Sequence, residues 1–373
     1  MSNLLNNKSS YVLDIIIDNY YMKGFLYLDR DLLKSEKISI PKDFFHPQFA
    51  KADFLQAFIL DVSKTYETYI NYSGSLKKTI YSTLGNLEKD FLKIVDNFYK
   101  IDQKFINDKA LYFSNKINAN IFVINLSRDS IFVSGNNGYN AITQDFTDPY
   151  FEIFSIKEIA DFPLIQSKIE KSRLYNSIIR PQYGKEDLTY LAISSLLIRN
   201  FITSFYFDSQ DSIPAIVLSG DIYEVFKNTS LSILSLLFGL SLSGVVSLFL
   251  DRAYVFPLLS ILPDDDVIDN IEKIADIFSV RFEGHTKDYV FLKIVDENSI
   301  KEEKIKFGDI INVPIKVKSH ITITLPHKCF IGNKSGVIEF ITDVSIVIDA
   351  RSGAIDTHKH LKELIENFDP LSF

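Results

Sequence analysis

Residues 11–28 read YVLDIIIDNYYMKGFLYL, and residues 119–133 read ANIFVINLSRDSIFV. Each stretch joins two apolar runs, rich in β-branched and aromatic residues, through a short polar turn, which is the pattern of a β-hairpin. In the first, Tyr11 to Asp18 and Tyr21 to Leu28 flank Asn19; in the second, Ile121 to Asn125 and Ser130 to Val133 flank Leu126-Ser127-Arg128-Asp129. Helical periodicity follows each hairpin. Phe54, Phe58, Leu60 and Val62 form one run and Leu84, Leu87, Phe91, Ile94, Val95 and Phe98 another, and Asp187 to Phe205 carries the same period in the second half. Two copies of strand, turn, strand and helix, begun about 110 residues apart, predict an internally duplicated α/β architecture rather than two unrelated domains.

The second copy continues with an apolar strand over Ile213 to Leu218, a tight turn at Ser219-Gly220-Asp221, a helix to about Leu240 and a strand over Val245 to Leu250. Such alternation builds a sheet that contains parallel pairs and is covered on both faces. A helix is expected over Val267 to Phe278, with Asp264, Asp265, Asp266 and Asp269 at its N-terminus, where carboxylates are favoured. Short strands then follow at Tyr289 to Val295, Ile315 to Val317, His320 to Leu325, Val337 to Ile341 and Ser345 to Asp349. They predict an appended β-rich module, closed by a helix from Thr357 to Asn367. The domains drawn from this are a first lobe over residues 1–115, a second over 116–265, and the β-rich module over 266–373.

The chain has 373 residues, 46% hydrophobic and 24% charged, with 14 Gly and 11 Pro, which is the composition of a folded globular protein. Its 48 acidic and 40 basic residues leave a net charge of -8, so it offers no electrostatic footprint for nucleic acid. The single cysteine, Cys329, excludes an intramolecular disulfide and a thiolate metal cage and fits a reducing, cytoplasmic compartment. Met1 to Ser10 is polar and Asp14 and Asp18 interrupt the apolar run after it, so no secretory leader is expected. Asn228 to Leu250 lacks charge over a length that could cross about 30 Å of hydrocarbon. Its six serines and Gly239 and Gly244 divide it instead into a buried helix, a turn and a buried strand.

Other constellations read as structural. His358 and His360 lie at a helix start, where positions two apart diverge, and His320, His327 and Cys329 lack the second thiol of a zinc site. Ser219 lacks the preceding glycine of a hydrolase elbow. Arg351, close to Asp349, is expected to pair with it and pin the β-rich module to the core. The 31 Phe and 19 Tyr are packing material.

Four segments in order carry a family resemblance: Asn176-Ser-Ile-Ile-Arg180-Pro181 before a helix with Arg199; Ile216-Val-Leu-Ser219-Gly220; Gly244-Val-Val-Ser-Leu-Phe-Leu-Asp251 with Tyr254-Val-Phe-Pro257; and Val344-Ser-Ile-Val-Ile-Asp349-Ala350-Arg351-Ser352-Gly353. Over roughly residues 170 to 373 the chain resembles the glutamate mutase L family, labelled MutL-type but unrelated to mismatch repair. Members of that family are similar to the actin, sugar-kinase and Hsp70 ATPase superfamily. The resemblance therefore implies a duplicated RNase H-like (actin-like ATPase) fold, here with an appended C-terminal β-rich module. It also implies association with adenosylcobalamin-dependent mutases, although the chain has no Asp-x-His-x-x-Gly cobalamin motif.

The superfamily further implies ATP and Mg, and places the candidate nucleotide-binding residues at Asp14, Asp18, Asn125, Ser127, Ser219 and Gly220. Phosphate-binding hairpin turns need glycine so that backbone N–H groups approach the ligand, and a carboxylate to hold the metal. The first turn is Asn19-Tyr20-Tyr21-Met22-Lys23, with Gly24 displaced into the strand; the second has Asn125 where an Asp is expected and no glycine. Only Ser219-Gly220, between a strand and a helix, keeps the expected form. The expectation is a pseudo-ATPase without cofactor, acting as a scaffold or binding partner of an unidentified protein. The alternatives are a working ATPase that activates a partner, using Asp14 or Asp18, Ser127 and Gly220, and a polymer-forming or membrane-peripheral actin relative of the pilus or division type.

Overall fold

A computed structural model describes residues 11–18, 21–28, 31–41, 44, 48–64, 76–82, 87–126, 130–135, 143–145, 215–220, 223, 229–240, 242–259, 270–283 and 289–351. Its first sheet contains β1 (Tyr11–Ile17), β2 (Tyr21–Leu28), β3 (Asp31–Ser39), β4 (Leu76–Ser82) and β5 (Asn97–Lys100) in the order β3-β2-β1-β4-β5. β1 and β3 each run antiparallel to β2, whereas β1, β4 and β5 run parallel. Helix α1 (Lys51–Lys64) covers one face: Leu55, Phe58 and Val62 pack on Leu13, Ile15 and Ile17. Gly24 on β2 admits this helix, since a Cβ there would lie 3.1 Å from Phe58 and Val62.

Helix α2 (Gln103–Ile117) leads into the second lobe. It starts at Asp102, whose carboxylate accepts the Phe105 N–H at 2.9 Å, and ends at Asn118 in the left-handed region. The second lobe repeats the first: β6 (Ile121–Leu126), β7 (Ser130–Gly135), β8 (Thr143–Asp145), β9 (Ala215–Ser219) and β10 (Gly244–Asp251) lie in the order β8-β7-β6-β9-β10. The orientations are again antiparallel, antiparallel, parallel and parallel. Two sheets with one strand order and one set of orientations constitute the duplicated RNase H-like, actin-like fold. One apolar core joins the lobes, running from Ile16, Tyr27 and Tyr81 through Ile106 and Phe113 of α2 to Val123, Val217 and Phe256.

The second sheet continues through β11 (Ile271–Phe282), antiparallel to β10, then β18 (Ser345–Asp349) and β14 (Ile310–Val313), with β16 (Cys329–Ile331) also on β11. A third sheet holds β12 (Tyr289–Val295), β13 (Ile300–Lys306), β15 (Ser319–Thr324) and β17 (Val337–Thr342), so the C-terminal part is β-rich as expected. Between β9 and β10 lies α3 (Thr229–Gly239), almost wholly buried. Among the described residues no helix is long and apolar enough to cross a membrane, and Asn228 to Leu250 divides into helix and strand.

Several expectations are corrected. Over Ile271 to Phe278 the expected helix is replaced by β11, buried between β10 and β18. Ile271, Ile274, Ala275 and Phe278 happen to fall at helical spacing, and a strand buried on both faces has no alternation to betray it. Among the described residues of the run from Leu84 to Phe98, the helical part is the single turn Glu88–Phe91, before β5. Leu60 faces out rather than inward. The strand near Ile315 is instead at Ile310–Val313. Asp264, Asp265, Asp266, Asp269 and the helices at Asp187 to Phe205 and Thr357 to Asn367 lie outside the described residues.

Candidate functional site

In the duplicated fold the ends of β1, β6, β9 and β10 converge between the lobes. Each apolar strand here ends in a polar residue: Asp18, Asn125, Ser219 and Asp251, all buried. The sequence reading proposed the first three and missed Asp251. The signal was present, because an Asp closing the apolar run from Gly244 repeats what Asp18 does after Tyr11.

In the second lobe three of these side chains form one chain of hydrogen bonds. Asn125 Nδ2 donates to Ser219 Oγ at 3.3 Å, and Ser219 Oγ donates to Asp251 Oδ2 at 2.8 Å. Asp251 also accepts the N–H groups of Val255 at 2.8 Å and Phe256 at 2.9 Å. Burial pushes its carboxyl pKa up, and these donors oppose the shift. The carboxylate thereby organises the short turn Phe256–Leu258 that packs into the interlobe core.

In the first lobe Asp18 closes its own turn. Its Oδ1 accepts the Tyr21 N–H at 2.7 Å, its N–H donates to Tyr21 O at 3.1 Å, and its Oδ2 pairs with Lys23 Nζ at 3.3 Å. Lys23 crosses to the second lobe, donating to Ala253 O at 2.9 Å beside the Tyr254 ring. Burial lowers its ammonium pKa to about 8 against the pull of Asp18 and Asp251.

Asp14 does not join this cluster. It lies in mid-strand, 1% exposed, and accepts a hydrogen bond from Tyr81, with Lys77 and Lys109 nearby. Burial raises its carboxyl to about 6, the tyrosine and the two cations opposing. Lys109, itself lowered to about 8 by burial, donates to Leu259 O. Ser127 lies outside the described residues.

Gly220 has φ +111°, and a Cβ there would stand 2.1 Å from Leu126 O. Its glycine is demanded by the backbone of β6, independently of any ligand. The donor set fits Mg-ATP poorly. A magnesium ion needs oxygen ligands in octahedral array, yet the Asp18 and Asp251 carboxylates are engaged by backbone N–H groups, Ser219 and Lys23. The buried Asn125 Oδ1 accepts no hydrogen bond from a described residue, but a neutral amide oxygen brings no charge to hold a divalent cation. No step of phosphoryl chemistry follows from these residues.

No protein-family model and no curated protein sequence matches the chain. Solved structures similar to it include the Aquifex aeolicus PPX-GPPA enzyme, at TM-score 0.32 and 10% identity over 56% of this chain and 68% of that one. The ethanolamine utilization protein EutJ from Carboxydothermus hydrogenoformans aligns at TM-score 0.32 and 10% identity, over 60% and 80%. An exopolyphosphatase from Cytophaga hutchinsonii aligns at 0.31 and 7%, over 57% and 68%. The fold assignment itself rests on the strand order repeated in the two sheets.

Proposed function

We propose that this is an actin-like-fold protein that has lost its phosphate chemistry and serves as a scaffold or binding partner for another protein in the cytoplasm. The observation that carries the reading is the closure of Asp18 on Tyr21 and Lys23, which removes from the first hairpin the carboxylate that a nucleotide-bound metal requires. The net charge of -8 directs the partner search to proteins rather than nucleic acid. The finer reading, a glutamate mutase L type partner of an adenosylcobalamin-dependent mutase, is supported by the Asp349-Ala350-Arg351 segment on which that resemblance most depends. Co-elution with such a mutase on size exclusion tests it, and separate elution at micromolar concentrations of both sinks it.

The test of the lost chemistry is thermal unfolding with and without Mg-ATP. A ligand at 100 times its dissociation constant adds about 2.7 kcal/mol of stability. An unmoved transition at millimolar nucleotide is the expected result. A clear upward shift with phosphate release returns the working ATPase to first place, and concentration-dependent light scattering would do the same for the polymer.

A further inference from the structure

A cavity of about 380 Å³ opens between the lobes, beside the turn that Asp251 organises. Its walls are the faces of β2 and β3 on one side and the segment after β10 on the other, with Asn270 at the start of β11. Phe25, Tyr27, Leu32 and Val255 supply apolar surface; Lys23, Lys37 and Arg252 supply positive charge. Glu36, the one carboxylate in the lining, is 3.2 Å from Lys34, which lies outside it.

The placing of the cations is unusual. Lys23 and Lys37 are direct cross-strand partners in β2 and β3, an arrangement in which like charges repel. Lys23 is also almost fully buried, with Asp18 beside it, while Lys37 lies over the Tyr21 ring at 3.7 Å. Arg252, from the other lobe, adds a third positive charge to the same space. In a chain of net charge -8 this local excess runs against the whole. The wall is also pre-formed, since Lys23 holds Ala253 O and Asp251 holds the Val255 N–H. A cavity at a lobe boundary, largely apolar with a few convergent polar groups, has the character of a small-molecule site.

From these residues we infer that the cavity binds a small organic anion, a carboxylate or phosphate monoester on a compact apolar body. The headgroup lies among Lys23, Lys37 and Arg252, and the body lies against Phe25, Tyr27 and Val255. A second negative charge relieves the Lys23–Lys37 repulsion, and binding ties the two lobes together. The site shares Lys23 with the Asp18 closure described above, but its test uses no nucleotide, so its failure and the failure of that reading are distinguishable.

Calorimetric titration tests it with phenyl phosphate and phenylacetate as probes. At least one saturates the full-length protein at about millimolar or lower concentration, and phenol and inorganic phosphate bind at least about tenfold more weakly than that probe. Lys37→Gln and Arg252→Gln, both at exposed positions, each weaken it about tenfold, and Leu32→Glu at the mouth does likewise. Lys301→Gln, remote on β13, leaves it unchanged. No saturation by either probe up to about 5 mM overturns the inference. So does equal binding by the wild type, Lys37→Gln and Arg252→Gln, or binding of inorganic phosphate as tight as that of the better probe.

Discussion

The Arg351 guanidinium closes on the Asp349 carboxylate through two hydrogen bonds, Nε to Oδ1 at 2.7 Å and Nη2 to Oδ2 at 2.6 Å, and the same Nη2 donates to Leu237 O at 2.9 Å. Leu237 lies in the last turn of α3, so the pair ties the end of β18 to the carbonyl end of that helix. The sequence reading anticipated that Arg351 pins the C-terminal module, and this geometry is how it does so.

Arg351→Met leaves Asp349 buried without its partner and should destabilise the fold by about 3 to 5 kcal/mol. Asp349→Asn combined with Arg351→Met should recover part of that loss, because neither charge is then stranded. Urea unfolding of both single variants and the double gives the coupling energy. Strictly additive effects would mean that the pair is not a unit.

Gly220→Ala forces a Cβ onto Leu126 O in a backbone conformation with positive φ. Neither backbone can give way cheaply, and a loss of roughly 2 to 4 kcal/mol is expected. A thermal melt decides it; an unchanged transition would show that β6 and the turn after β9 do not press on each other.

Asp251→Asn places an amide NH₂ among groups that already donate, namely Val255, Phe256 and Ser219. A loss on the order of 2 kcal/mol should follow, whereas Ser219→Ala should cost about 1 kcal/mol. If chemical denaturation ranks them the other way, Asp251 is not the hub of this network.

Asp14 gives a pH signature. Its folded value of about 6 lies above the ordinary 3.8, so between these values the folded state holds the extra proton. The contribution of this group to stability is full below about pH 4 and is lost as pH rises through 6, on the order of 2 to 3 kcal/mol in all. Asp14→Asn should remove this downward slope between about pH 4 and 6 in urea-midpoint measurements. Lys23 and Lys109, both lowered to about 8, act in a separate window. Their deprotonation favours the folded state, so stability from them rises from about pH 8 towards 10.5. Parallel wild-type and Asp14→Asn profiles over the acid range would remove Asp14 from the account.

The hairpins were legible because each joins two apolar, β-branched and aromatic runs through a short polar turn, and the turn falls where the apolar run breaks. β11 was not, since Ile271, Ile274, Ala275 and Phe278 satisfy a helical template as well as a doubly buried strand. β13 was missed for the opposite reason: Ile300–Lys306 is charged almost throughout and is held as a strand by pairing with β12. Of the candidate site, Asn125 and Ser219 were found and are in contact, but nothing local to Asp14 distinguished a carboxylate sunk in mid-strand from one at a strand end.

Local chain chemistry by itself determined the two hairpins, the buried helix and strand within Asn228 to Leu250, and the absence of glycine from the second hairpin turn, because apolar runs and turn residues act between near neighbours. Tertiary structure alone decided that Asp18 turns back to Tyr21 and Lys23, that Asp251 gathers Ser219 and two backbone N–H groups, and that Lys23, Lys37 and Arg252 share one cavity. The first is a contact within one hairpin whose partners the sequence does not single out, whereas the Ser219–Asp251 bond and the shared cavity join groups far apart in the chain and exist only once the strands and lobes have packed.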